Sequence, residues 1–377
     1  MQILIAPNAF KNSLTATDAA KAIRKGLLDG GFTGNIEIFP VGDGGDGTAS
    51  LIIQHFDGFF MDVYAHDPLG RKVKASVGFL DENNTAVIEM ADISGLKLLK
   101  QKELDPLHAT SFGCGELILA ALNHGARKII MCIGGSATID GGSGALQAMG
   151  ARFLDRSNNE LSGLPESLTA LNSIDIAGID KRIFDTELII LCDVDNFMLG
   201  EKGAASVFGP QKGASKADII KLENALTRLR DVTFLQTGSD MNKLRHGGAA
   251  GGISAGLNIY LNARLVQGIE YFLDITGFDK ALENSGLLIT GEGSIDKQTL
   301  EGKGPFGVAR RAKKKNIKVI GLAGSIPLKA NTELDRYFDA LMTINQPDED
   351  IETAILHTEE NLRKTSFRLG KTISGSL

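Results

Sequence analysis

The chain has 377 residues, more than a usual single core holds, and two domains are the simplest expectation. An apolar content of 43%, a charged content of 23% and only 9 prolines leave no room for a long disordered segment. The net charge of −6 argues against non-specific binding to nucleic acid or to anionic membranes, so the expected partners are small molecules.

Met1-Gln2-Ile3-Leu4-Ile5 enters an apolar strand at once, without the basic region and apolar run of a signal peptide, and no stretch approaches the length of a membrane span. A cytoplasmic location is the expectation. Ile3 to Ala6 reads as a short buried strand, followed by a helix that Thr15 and Asp18 cap and Gly30-Gly31 ends, with Ala19, Ile23 and Leu27 on one face. Ile36 and Ile38 start a second strand that runs into Gly42-Asp43-Gly44-Gly45-Asp46-Gly47 and then a helical stretch around Leu51 to Gln54. This βαβα alternation calls for a largely parallel sheet with ligands at the carboxyl ends of its strands.

From about Asp67 the pattern changes to short strands, Val73 to Phe79 and Ala86 to Met90, separated by turns such as Asp81-Glu82-Asn83-Asn84. A helix from Glu116 to Leu122, a strand from Lys128 to Ile133, a loop over 134–142 and a helix from Ala145 to Met149 follow. Leu188 to Cys192 is again an apolar strand, and it leads into Asp193-Val194-Asp195-Asn196; Ser215 and Asp218 cap a later helix. Leu287 to Thr290 restarts the simple alternation, with a helix from Phe306 to Lys315, strands at Val319 to Leu322 and near Leu341 to Ile344, and a final helix from Ile351 to about Leu369, leaving Ser374-Gly375-Ser376 as a frayed end. The two chain ends are thus expected to share one open sheet, with the middle segment inserted as a second lobe.

Four times a strand ends in a loop of glycines mixed with Asp, Glu, Ser or Thr, at 42–47, 134–142, 193–203 and 291–304. Glycine lets backbone N–H groups turn toward a ligand, and amides at a helix start attract phosphate. Carboxylates in the same place would repel phosphate unless a cation such as Mg²⁺ lies between them. Any one such loop is most simply an ordinary turn; four at strand ends point to a shared site for phosphate, metal and acid. Neither G-x-x-x-x-G-K-[ST] nor a G-x-G-x-x-G after the first strand occurs, which weakens the P-loop and dinucleotide-binding alternatives. Lys11 and Lys303 are placed to face phosphate or a substrate carboxylate, or are simply solvated. Asp43 and Asp46 are turn formers or ligands, whereas Asp193 and Asp195 follow a buried strand, where a carboxylate needs a partner such as a metal. Cys114, Cys132 and Cys192 form no C-x-x-C pair and read as reduced and structural, and the six histidines lack metal-ligand spacing. The basic run from Arg310 to Lys318 reads as a solvated helix face, and Gly247 to Gly252 as either a close-packed helix start or a fifth ligand loop.

Taken in order, Ile5 to Lys11, Asp43 to Thr48, Glu89-Met90-Ala91 with Ser94-Gly95-Leu96, Thr110 to Ile118, Gly134 to Gly142, Cys192 to Asn196 with Phe208 to Gly213, and Gly291 to Asp296 with Gly302-Lys303 resemble glycerate kinases of the bacterial type-1 family. The resemblance covers nearly the whole chain. It departs at Asn8-Ala9, where the family usually has Asp-Ser, and at Ile139, where it has Asn. The fold it implies is α/β: a discontinuous flavodoxin-like lobe from 1–65 and 285–377, an inserted α/β lobe over 66–284, and a site in the cleft between them.

The activity it implies is Mg²⁺-assisted, in-line transfer of the γ-phosphoryl group of ATP to D-glycerate, with 2-phosphoglycerate favoured over 3-phosphoglycerate as product. Under it, Lys11, Asp193 and Asp296 are the catalytic candidates. Gly134, Gly135, Ser136, Thr138, Gly291, Gly293 and Lys303 contact ATP, while Lys11, Asp43, Asp46 and Asp140 face glycerate. Asp193, Asp296 and Glu292 hold Mg²⁺. A monomer or homodimer is expected. The alternatives are a kinase for a related sugar acid, a non-catalytic nucleotide-binding regulator and, more weakly, a metal-dependent phosphatase.

Overall fold

Ile3, Leu4 and Ile5 are wholly buried, as a strand covered on both faces requires, and the strand they form, Gln2–Ile5, is central in its sheet. The structure is a computed structural model that describes residues 2–81, 84–296, 299–300, 302–327, 333–345 and 350–375. The expected turn residues Glu82 and Asn83, and Ser376 of the expected frayed end, lie outside the described residues. The chain forms two compact units, Met1–Asp43 with Ile269–Leu377, and Gly44–Gly268.

The sheet of the first unit runs Asn35–Ile38, Gln2–Ile5, Leu287–Ser294, Lys318–Ser325, Ala340–Thr343, all parallel. In chain order that is 2-1-3-4-5, the flavodoxin-like order, whose direction reverses between Gln2–Ile5 and Leu287–Ser294. The helix Ala16–Asp29 opens as expected, with the Thr15 hydroxyl accepting from the Asp18 amide. Its buried Ile23 and Leu27 join Ile3, Ile5 and Ile289 in one core, where each such side chain contributes roughly 1.5–3 kcal/mol. The last helix, Thr358–Gly375, runs past Leu369 because it packs backbone-close along this one: a Cβ on Gly26 would meet the Arg363 carbonyl at 2.4 Å and one on Gly30 the Phe367 carbonyl at 2.4 Å.

The second unit carries a six-stranded sheet in the order Arg264–Gln267, Glu187–Cys192, Lys128–Cys132, Thr85–Glu89, Lys72–Leu80, Phe59–His66. The last three strands pair antiparallel and the first four parallel. The register aligns Glu89 with Cys132 and Cys132 with Leu191, so the loops that follow these strands leave from one edge.

The units divide at Asp43/Gly44 and Gly268/Ile269, not at the expected 65/66 and 284/285. Two packing facts account for this. The helix Thr48–His55 packs on Thr85–Glu89 and Lys72–Leu80, and Phe59–His66 extends that same sheet. At the other end Ile269 packs on Gly307 and Arg311 binds Glu270, Asp274 and Asp279, which draws 269–282 into the first unit. The basic run is therefore not a plain solvated face: Arg311 is buried among those carboxylates, Arg310 pairs with Glu270 and Lys313 with Asp339.

Candidate active site

In the second unit the segment after Lys128–Cys132 is pinned at both ends. The Gly134 amide donates to the Gly44 carbonyl at 2.9 Å, and Leu96 and Ala137 bond across to Gly135 and Ser94. Between these anchors Gly135 takes a left-handed conformation, φ 75°, and the amides of Gly135 and Ser136 donate to no acceptor among the described residues. Two successive amides left over at a carboxyl strand edge can turn toward an anion. A Cβ on Gly134 would lie 2.5 Å from the Gly45 Cα and 3.2 Å from Asp193 Oδ2, so the loops 44–47, 134–136 and the half-buried Asp193 meet at this point.

The loop rests on Lys212, whose ammonium is buried and donates to Ser136 Oγ at 2.7 Å and the Thr138 carbonyl at 2.8 Å. Burial pulls its pKa down to about 7, against the raising influence of Asp140 and Asp193. Asp140 faces inward: it is fully buried and accepts from the Ser111 amide and hydroxyl, at 2.8 and 2.6 Å, and from the amides of Gly142 and Gly144. Four donors make it the post that holds the loop's return. The run at 247–252 is a close-packed helix start. Gly251 and Gly252 press against Thr138 and Gly141, and a Cβ on Gly251 would reach the Thr138 carbonyl at 2.0 Å. Asp195 is taken by Arg245 at 2.8 Å and His246 at 2.9 Å.

Beside this loop, buried Glu89 accepts from the amides of Gly47 and Ala49, both at 2.9 Å, and so closes the start of the helix Thr48–His55. Burial, with help from Asp92 and Asp46, lifts its pKa to about 8 against the pull of those amides. Asp46 itself pairs with Lys97 at 2.8 Å, and Lys97 with Asp92 at 2.6 Å. Burial works against the Lys97 charge, but the two carboxylates outweigh it and hold its pKa above the ordinary value.

In the first unit the carboxyl ends of Gln2–Ile5 and Leu287–Ser294 gather a second cluster. Asn8 Nδ2 donates to Asp43 Oδ2 at 2.8 Å, and the Gly304 amide, first in the helix Gly304–Lys314, donates to the same oxygen at 3.3 Å. Glu292 is buried and accepts from the Thr299 hydroxyl at 3.0 Å, and that hydroxyl accepts from the Asp296 amide at 3.1 Å. Burial raises the Glu292 pKa to about 7; Lys303 and Lys11 lower it and Asp43 raises it, so all three lie within electrostatic reach. Gly291 is required by the sheet, since a Cβ there would meet the Leu322 carbonyl at 2.2 Å.

Asp46, Gly134, Gly135, Ser136, Thr138, Asp140 and Asp193 thus belong to one unit, and Lys11, Asp43, Gly291, Glu292, Gly293, Asp296 and Lys303 to the other. The expected metal ligands are divided accordingly, Asp193 in one and Glu292 with Asp296 in the other. Among the described residues no three His, Cys, Asp or Glu side chains gather closely enough to hold a metal ion. Mg²⁺ does not require such a cage, since it keeps several waters and is bound through one or two carboxylates plus substrate phosphates, and Asp193 beside the amide loop fits that pattern. Sequence reasoning missed Lys212, Glu89 and the Asp92–Lys97–Asp46 chain. The available signs were a lysine between Pro210 and Gly213, and a carboxylate closing the apolar run Ala86-Val87-Ile88.

Comparison with known proteins agrees on one family. A family model described as the glycerate kinase family matches residues 3–374. A protein of Bacillus subtilis strain 168 named glycerate kinase is 41% identical over 99% of both chains, and one of Escherichia coli K12 named glycerate 2-kinase is 40% identical over 99% of this chain and 98% of its own. A crystal structure assigned to glycerate kinase 2 of Salmonella typhimurium LT2 superposes with a TM-score of 0.82 at 40% identity, covering 100% of this chain and 99% of that one.

Proposed function

The chain belongs to the glycerate kinase family of phosphotransferases, and from that premise we propose that it transfers the γ-phosphoryl group of ATP to the 2-hydroxyl of D-glycerate with Mg²⁺ assisting. The observation that carries the reaction type is the loop Gly134–Ser136: two amides unengaged among the described residues, a buried ammonium bonded to the Ser136 hydroxyl and the Asp193 carboxylate alongside Gly134. That combination suits a phosphate that arrives with a cation. The 2-hydroxyl is favoured by the 40% identity to the protein named glycerate 2-kinase.

Phosphoryl transfer asks little covalent work of a protein and depends on positioning and charge neutralisation. The amides of Gly135 and Ser136 orient phosphoryl oxygens, and Asp193 is the residue to hold Mg²⁺, which when bound neutralises charge on the phosphates. Lys11 and Lys303 are the cations for the substrate carboxylate or the transferred group. Glu292, with a pKa that burial lifts to about 7, is matched to accept the hydroxyl proton at neutral pH, and Asp296 is tied to it through Thr299. Asp43 of the first unit and Asp46 of the second are each proposed to face glycerate, and Asp140 acts through the loop it braces. The cytoplasm, where ATP is present, is the proposed setting; among the described residues no helix is long and apolar enough to cross a membrane.

The test is ³¹P NMR of the full-length protein with ATP, Mg²⁺ and D-glycerate. A phosphate monoester on the 2-oxygen is the expected product. A monoester on the 3-oxygen refutes the site of transfer, and release of inorganic phosphate alone refutes kinase chemistry.

A further inference from the structure

Lys212 is the buried cation of the second unit that no carboxylate pairs. Its side chain is 2% exposed, its ammonium meets only Ser136 Oγ and the Thr138 carbonyl, and no ion pair to it forms among the described residues. The buried Arg311 of the first unit, in contrast, carries three carboxylates. An unpaired buried ammonium is costly unless opposite charge is supplied. Two carboxylates lie within electrostatic reach: Asp140, which four protein donors already engage, and Asp193, which flanks the loop and raises the Lys212 pKa without forming an ion pair with it. In the same loop the amides of Gly135 and Ser136 donate to nothing among the described residues, and the buried Thr138 hydroxyl has no partner there.

We propose that Lys212 is the positioning residue of the phosphate loop, holding Ser136 and Thr138 so that the free amides face outward and gaining its missing counter-charge from the phosphoryl group that lands on them. It rests on phosphoryl transfer being the activity. The ligand's chemical class is a nucleotide polyphosphate or inorganic phosphate, the anions that leftover backbone amides next to a buried cation suit. Burial holds the Lys212 pKa at about 7; an anion over the loop favours the charged form, so binding draws in a proton at mildly alkaline pH.

The experiment is calorimetry of Mg·ATP binding to the full-length protein at pH 8, in two buffers of different ionisation enthalpy. Wild type is expected to take up a proton, up to about 0.9 per nucleotide for a group that starts near 7 and ends well above 8. Lys212→Arg, always charged, is expected to bind without uptake, and Lys212→Met to bind at least about tenfold more weakly, also without uptake. A lysine that merely braced the fold would leave proton uptake equal in wild type and Lys212→Arg, and that result overturns the proposal; if Lys212→Met fails to fold, the arginine variant alone decides. A wild type that phosphorylates glycerate but shows no Lys212-dependent uptake overturns this inference and leaves the kinase assignment standing. A folded wild type that neither binds ATP nor transfers phosphate overturns both.

Discussion

Glu89→Gln tests whether the buried carboxyl that closes the Gly47–Ala49 turn carries a proton at neutral pH. Its pKa is about 8 in the folded chain against an ordinary value of 4.5, with burial as the main cause. Between those two pH values the folded state holds a proton that the unfolded state has released, so stability falls as pH rises. The contribution is fully present below about 4.5 and is gone above about 8. At about 1.4 kcal/mol per pKa unit the gap amounts to about 5 kcal/mol. Glutamine has the shape of the protonated acid and does not titrate, so the variant loses this slope. Its only constant effect is the exchange of one acceptor for an amide donor opposite Gly47 or Ala49, a cost of about 1–2 kcal/mol that does not vary with pH. The assay is urea unfolding of both proteins between pH 5.5 and 8.5, followed by far-UV circular dichroism. The variant should gain on wild type with rising pH, by at most about 1.4 kcal/mol per unit. Parallel pH profiles would refute the buried, protonated Glu89.

Asp193→Asn keeps the shape of the side chain beside Gly134 but removes its charge, and should lower kcat by about 10²–10³-fold with the circular dichroism spectrum unchanged; near-normal turnover removes Asp193 from the reaction. Asn8→Asp replaces a 2.8 Å hydrogen bond to Asp43 with two facing carboxylates, and thermal melts should show a loss of about 1–3 kcal/mol at pH 8 that shrinks at pH 5; a loss that is the same at both pH values counts against carboxylate repulsion. The thiols of Cys114, Cys132 and Cys192 are all buried, and burial raises the Cys114 pKa to about 12 and that of Cys192 above the ordinary thiol range. The native protein should therefore leave an aromatic disulfide reagent unreacted over minutes and release all three thiols in urea; fast labelling of the native protein would contradict the burial.

How far the site could be read in advance depends on the distance over which each residue finds its partner. Strands such as Lys128–Cys132 and Glu187–Cys192 declare themselves because, past a charged first residue, both faces are buried and every residue is apolar, and the glycines after Lys128–Cys132 declare a bend. Asp43 and Asp46 look like one motif, three residues apart, yet the chain passes from one unit to the next between them, so Asp43 binds Asn8 and Gly304 while Asp46 binds Lys97. Nothing local separates these two aspartates; only the pairing of Phe59–His66 with Lys72–Leu80 and the packing of Thr48–His55 on that sheet decide it. Lys212 is harder still, because its acceptors lie 76 and 74 residues away and its meaning comes from burial, which a lysine code does not announce. The same holds for Gly251, whose glycine is demanded not by its own turn alone but by the Thr138 carbonyl that a Cβ would strike. Loop composition therefore marks where glycine-rich bends fall at strand ends, while the charge held by the loop and the posts that fix it are set by tertiary contacts. For that reason the residues most in need of substitution are the ones least conspicuous in the chain.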